Sequence, residues 1–176
     1  MHDDPVISDS GRQVPPQYGP YGLHDLPEAL RNVPYSGARY PGAETPDCAH
    51  GLAGGANCQR YAYAVLRHFG LLIPPLRSAE LWADTGATCK ADPPQPLDLV
   101  LFDGGRAEGR PAGYGAHVGV HLGPDRVLHL CREIGRPAVW TYADFAARPR
   151  YARFLGAKRA VGKGGDGGSG AVRRPG

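Results

Sequence analysis

The chain has 176 residues, 41% of them hydrophobic, and a formal charge of +3 from 20 Lys and Arg against 17 Asp and Glu. That is enough apolar material for one domain with its own core, with no need of disulfides or a metal as staples. Five of the basic residues (Lys158, Arg159, Lys163, Arg173, Arg174) fall in the last nineteen positions, so the remainder lacks the concentrated basic face that nucleic-acid binding requires, and no apolar run approaches the roughly 18 residues of a membrane span.

Residues 1–22 mix Pro, Gly, Ser and Asp with few apolar side chains, which predicts a flexible arm. The segment DLPEALRN predicts a short helix with Asp25 as N-cap and Pro27 in its first turn. The Gly- and Pro-rich stretch YSGARYPGAETPDCAHGLAGGAN reads as irregular structure able to shape a cleft. From Asn57 onward Tyr61, Val65 and Phe69 recur at four-residue spacing, Ala62 and Leu66 widen the stripe, and Gly70 supplies a stop, so an amphipathic helix follows with Cys58 at its head. RSAELWADTG predicts a second helix, with Ser78 capping it or with Arg77 and Ser78 entering it.

PLDLVLF, AHVGVHL and RVLHLC read as strands, and the Gly, Pro and Asp of HLGPDRV predict a hairpin turn between the last two. Side-chain alternation puts His117, Gly119 and His121 on one side of the first hairpin strand and Val127, His129 and Cys131 on one side of the second. Pairing therefore brings His117 and His129 to one face, opposite or diagonal according to register. TYADFAARP predicts a short helix capped by Thr141 with Asp144 three residues on. YARFLGAKRA predicts a returning strand, and residues 162–176 a disordered Gly-rich tail. The folded domain is thus expected over 23–161. The N-terminus MHDDPVISDS has neither a basic start nor an apolar run, so the chain as it stands reads as cytoplasmic, or as secreted if a signal peptide has been removed from it.

A thiol at a helix N-terminus meets unpaired amides and the positive end of the helix dipole, which favour the thiolate. Cys58 has that position if Asn57 is the cap. His117 is then a candidate general base, and His129 a candidate to hold its ring in orientation, in the manner of a triad with a neutral third member. Arg60 in the first helical turn, His121 and Cys131 are candidates for the pocket around them. Each residue alone has an ordinary fate as a core thiol, a packed histidine or a surface arginine; their order and placement on these elements favours chemistry. A metal centre built from Cys58, His117, His129 and His121 competes for the same residue types, but no close ligand pair such as CxxC anchors it, so no metal or other cofactor is expected. Cys48 lies in a loop with no helix behind it and is the weaker nucleophile candidate; Cys89 reads as incidental, and Asp98 as a turn or strand-entry residue.

The stretches VPYSGARYPG, NCQRYAYAVLRHFGLLIP, PLDLVLFDGG, GAHVGVHLGPDRVLHL and YARFLGAKRA together resemble the NlpC/P60 superfamily of papain-like cysteine peptidases and amidases, over roughly residues 33–160. The resemblance implies an α+β papain-like fold in which a helix carrying the nucleophile packs on a small antiparallel sheet. It also implies Cys58 as nucleophile, His117 as base, His129 as third polar residue, and the Tyr35 hydroxyl as an oxyanion or substrate contact. The family's Asp-Cys-Ser-Gly is altered here, where Asn57 precedes the cysteine and Gln59 and Arg60 follow it. The Asp47-Cys48 pair lacks the apolar helix that should follow the nucleophile. The implied activity is cleavage of γ-D-glutamyl to diaminoacid bonds in peptidoglycan stem peptides, or of a related small peptide, through an acyl-enzyme thioester. An intracellular amidase or acyltransferase acting on a small peptide or secondary metabolite is the alternative, and a catalytically inactive binding module of the same fold is a third. The expected partner is a peptide or small amide substrate, without nucleic acid or membrane, and the chain is expected to be a monomer.

Overall fold

The computed structural model describes residues 22–44, 51–105 and 108–162. The predicted arm up to residue 21, Cys48 and the tail from residue 163 lie outside them. A 3₁₀ turn at Leu23–Asp25 precedes α1 (Glu28–Arg31), the longer α2 (Cys58–His68), α3 (Ser78–Ala83), β1 (Thr88–Ala91), β2 (Leu99–Asp103), β3 (His117–Gly123), β4 (Arg126–Leu130), β5 (Pro137–Trp140), α4 (Tyr142–Ala146) and β6 (Arg153–Ala160). The strands form one antiparallel sheet in the order β1-β6-β2-β3-β4-β5.

The sheet separates two apolar layers. On one side Tyr61, Ala62, Val65 and Leu66 of α2 pack with Leu99 and Leu101 of β2, Val118, Val120 and Leu122 of β3, and Leu128 and Leu130 of β4. The alternate residues of the same strands, Val100, Phe102 and Val127, join Cys131, Trp140, Tyr151 and Phe145 of α4 in a second, aromatic cluster. Strands buried on both faces read as near-continuous apolar runs, which is why LVLF and HVGVHL carry so few polar residues.

Local chemistry sets the element ends. The Asn57 side chain accepts the Arg60 N–H at 2.8 Å and caps α2, and Gly70, at φ 79°, follows the helix. Thr141 and Asp144 form the reciprocal capping box of α4. At the chain's start the expectation is corrected. Asp25 closes the 3₁₀ turn by accepting the Gly22 N–H, and Pro27, which has no donor to lose, is the cap of α1. Ser78 is the first residue of α3, and the preceding Arg77 N–H is taken by the Glu80 carboxylate.

Two buried polar groups lock β6 into the sheet. Arg159 donates through Nε and Nη2 to both oxygens of the buried Asp98, at 2.9 and 2.7 Å, and Asp98 also accepts the Gln95 N–H. Lys158 donates to the Trp82 and Asp84 carbonyls. Asp98 is therefore an anchor at strand entry, and Cys89 is an exposed residue of β1.

Gly119 faces β4 at close range. A Cβ there would meet Val127 Cγ1 at 2.5 Å, the Leu128 carbonyl oxygen at 3.1 Å and His129 Cβ at 3.4 Å. Gly119→Ala should push β4 away and lower stability by about 1–3 kcal/mol, as overpacking does. Chemical denaturation checks it; an unchanged midpoint would show that β4 yields freely.

Candidate active site

Tyr35 and Cys58 are brought together by a short backbone zipper. Tyr35 bridges Ala56 in parallel, Ala56 N–H donates to the Pro34 carbonyl, Ser36 N–H to that of Ala56, and Asn57 N–H to that of Arg39. Gly55 permits the approach, since a Cβ at its φ of 100° would lie 2.7 Å from the Pro34 oxygen. The zipper fixes the loop that enters α2 and holds Tyr35 within electrostatic reach of the Cys58 sulfur.

The backbone N–H groups of Val118, Gln59 and Cys58 itself favour the Cys58 thiolate. The β3–β4 ladder runs from the Val120–Leu128 pair to the turn, while His117 to Val120 pair with β2. Gln59 points elsewhere: its amide donates to the Tyr63 hydroxyl and the Leu76 carbonyl, fastening the segment after α2 to the helix.

Register settles the histidines. Extending the Val120–Leu128 pairing places Gly119 across from His129, so His117 lies diagonal to His129. With no side chain on Gly119 between them, His117 Nε2 reaches His129 Nδ1 at 2.9 Å, the rings at 88°. Tyr151 packs on His117, and Trp140 and Phe145 pack on His129, at ring-centroid separations of 4.8, 4.2 and 4.9 Å. His129 is fully buried and its Nε2 has no hydrogen-bond partner among the described residues.

The protonation states differ from the expectation for a helix-borne thiol. Desolvation of the sulfur raises the Cys58 pKa above its usual 9.0, outweighing the three amides that favour the thiolate. Burial lowers His117 to about 3, helped by the Arg150 charge, and lowers His129 to about 2, helped by His117 and Arg148. At rest the thiol and both imidazoles are neutral, so a proton must move as the sulfur attacks. Alkylation of Cys58 by iodoacetamide should accordingly keep rising beyond pH 9. A plateau reached below pH 6 would instead reveal a preformed thiolate–imidazolium pair.

The other pocket candidates are placed differently from one another. Cys131 is buried in the aromatic cluster and its charge would be felt at Cys58, Tyr35 and Tyr151. His121 is not part of the group: it lies four residues along β3 from His117, about 13 Å at strand rise, and its Nδ1 is bonded to the Tyr142 hydroxyl at 2.9 Å. Arg60 lines a separate open groove with Glu28, Tyr63, Ala64 and Arg67. The cations felt near the thiol are Arg150 and Arg132, both acting on Tyr35, and Arg150 also on His117. Neither stands out in the sequence, because each lies in a loop with no motif around it. Arg150 lines a 630 Å³ cleft with Asp103, Arg110, Tyr114 and Gly115. No group of three or more His, Cys, Asp or Glu among the described residues has metal-binding geometry.

A helix-borne cysteine followed by an antiparallel sheet with paired histidines defines an α+β papain-like domain. Within that class the chain has the NlpC/P60 fold. An NlpC/P60 family protein from Bacillus cereus ATCC 10987 matches with a TM-score of 0.51 at 17% identity, over 81% of this chain and 41% of its own, so this chain spans less than half of that protein. The NlpC/P60 domain of the peptidoglycan hydrolase SagA matches with a TM-score of 0.43 at 18% identity, covering 66% of this chain and 84% of that one. The peptidoglycan hydrolase RipB from Mycobacterium tuberculosis gives 0.42 at 21%, covering 80% and 71%. No protein-family model and no curated protein matches the sequence.

Proposed function

We propose that the domain is a thiol hydrolase that cleaves an amide bond through an acyl-enzyme thioester. The observation that carries this reading is the buried His117–His129 bond at the start of β3, next in the chain to Val118, whose backbone N–H favours the Cys58 thiolate. His117 Nε2 is engaged by His129, so His117 acts through Nδ1. As Cys58 Sγ bonds to the scissile carbonyl carbon, Nδ1 takes the thiol proton, and His129 orients the resulting imidazolium. When the tetrahedral intermediate collapses, the C–N bond breaks, His117 returns the proton to the leaving amine, and the acyl group stays on sulfur as a thioester. Water, deprotonated by the same Nδ1, then adds to the thioester carbonyl carbon, the C–S bond breaks, and His117 returns the proton to the sulfur as the acid leaves. Helix-end amides and the Tyr35 hydroxyl are the donors available to the oxyanion.

The substrate proposed is a peptidoglycan stem peptide cut between γ-D-glutamyl and a diaminoacid, or a related small peptide. Arg150 and Arg132 support an anionic acyl group, because a γ-linked glutamyl residue carries its free α-carboxylate close to the scissile bond. The test is incubation of the full chain and its Cys58→Ala variant with a synthetic γ-D-glutamyl-diaminoacid stem peptide. The expected result is release of the diaminoacid fragment by the parent chain only. Cleavage that survives in Cys58→Ala would overturn the assignment of the nucleophile.

A further inference from the structure

His129 Nε2 carries an inference that rests on the proposed role of His117 as base. Two neutral imidazoles joined by one hydrogen bond have two arrangements. In the first, His117 Nε2–H donates to His129 Nδ1, the His117 Nδ1 lone pair is free, and His129 bears its proton on Nε2. In the second, His129 Nδ1–H donates to His117 Nε2, His117 carries a proton on Nδ1, and His129 Nε2 is a bare lone pair. Only the first leaves His117 able to accept a proton from the thiol. The choice is therefore made at His129 Nε2, on the far side of the pair from Cys58.

That atom is buried and meets no oxygen or nitrogen partner among the described residues. The aromatic rings packed on His129 are those of Trp140, at 4.2 Å and tilted by 60°, and Phe145, at 4.9 Å and tilted by 59°. A π surface is electron-rich: it attracts an N–H and repels a lone pair. Trp140 is itself held in place, since the Arg148 guanidinium lies 3.9 Å from its ring, pairs with Glu133 and donates to the Asp144 carbonyl.

We propose that Trp140 is a positioning residue for the base: its indole accepts the Nε2–H of His129 and so fixes the tautomer of both histidines, leaving His117 Nδ1 free to take the thiol proton. Phe145 supplies a second, more distant ring to the same N–H. Trp140 touches no reacting atom and acts through two imidazoles.

The test is ring-nitrogen NMR of ¹⁵N-histidine-labelled full chain at pH 8, where both rings are neutral. The expected spectrum has Nε2 protonated and Nδ1 bare on both His117 and His129, with the His129 Nε2–H resonance shifted upfield by the ring beneath it. Trp140→Phe should keep this pattern, whereas Trp140→Leu should raise the second tautomer relative to the first by roughly two- to fivefold. A parent spectrum with His129 protonated on Nδ1, or a folded Trp140→Leu chain with unchanged tautomers, would overturn the proposal. The parent measurement decides even if the leucine variant fails to fold. No substrate is needed, so this result is separate from the stem-peptide experiment, in which loss of the hydrolase reading shows as no cleavage by the parent chain.

Discussion

Replacing His117 with alanine should lower the rate constant for stem-peptide cleavage by about 10³–10⁴-fold while the peptide still binds, and adding Cys58→Ala should lower it little further. Nucleophile and base act as a unit, so the loss of either removes almost all of the covalent route. The neutral resting state sharpens the expectation. A sulfur whose thiolate is disfavoured by desolvation depends on a base within reach, whereas a preformed thiolate would retain considerable reactivity without one. Single-turnover kinetics on the two single variants and the double variant would decide. A His117→Ala chain within tenfold of the parent would show that solvent can take the proton, and multiplicative losses in the double variant would show two independent roles.

Acid should unfold the protein from an unusually high pH. Each folded-state histidine pKa in the pair is depressed, to about 3 for His117 and about 2 for His129, against 6.5 for the free side chain. Above pH 6.5 the unfolded chain is also neutral at these positions, so the stability is fully present. As pH falls, the unfolded chain takes up protons that the buried pair refuses, and stability declines until the folded pKa is reached. Between pH 6.5 and about 4 the carboxylates remain largely ionised, which leaves the histidines to set the slope. His121, also lowered by burial, contributes with the same sign. The expected loss is about 1.4 kcal/mol per pH unit for each fully excluded proton. Urea midpoints measured across this window check it. His117→Gln, which retains an amide donor for His129 Nδ1, should make the slope visibly shallower, and a slope near zero in the parent chain would mean that the pair admits a proton without unfolding.

The parts of the fold legible in the sequence are those whose signal is local. Asn57 and Gly70 bracket an apolar stripe, Thr141 and Asp144 bond only to each other's neighbourhood, and the Gly-Pro-Asp turn joins two alternating runs. What escaped the reading is made by partners distant in sequence. TCKA and PAVW are four-residue strands too short to show alternation, and each exists because β6 or β4 offers it a ladder. The diagonal placement of His117 and His129 required the register, and the aromatic shell around them joins residues from β2, β5, α4 and the loop before β6. The helix-end argument for an acidic thiol meets an opposing effect that no local pattern shows: amide donors are visible in a sequence, but the desolvation that raises the pKa of the half-buried Cys58 depends on the packed structure. Arg60 shows the converse, being near Cys58 along the chain yet turned to another groove.

The sheet order has a consequence for how the chain comes into being. β6 is the last in chain order of the six described strands and lies between β1 and β2, so synthesis delivers an inner strand after the other five. Until residues 153–160 have emerged, β1 has no neighbour and β2 has only β3, leaving two rows of unpaired amides and carbonyls open to wrong partners. The β3–β4 hairpin can form earlier, since its contacts are close in sequence, and so the histidines can be paired before the frame that buries them exists. Final assembly is an insertion, sealed when Arg159 reaches Asp98 and Lys158 reaches the Trp82 and Asp84 carbonyls. A chain cut just before Arg153 would keep every residue of the proposed chemistry and lose the strand that joins the two halves of the sheet.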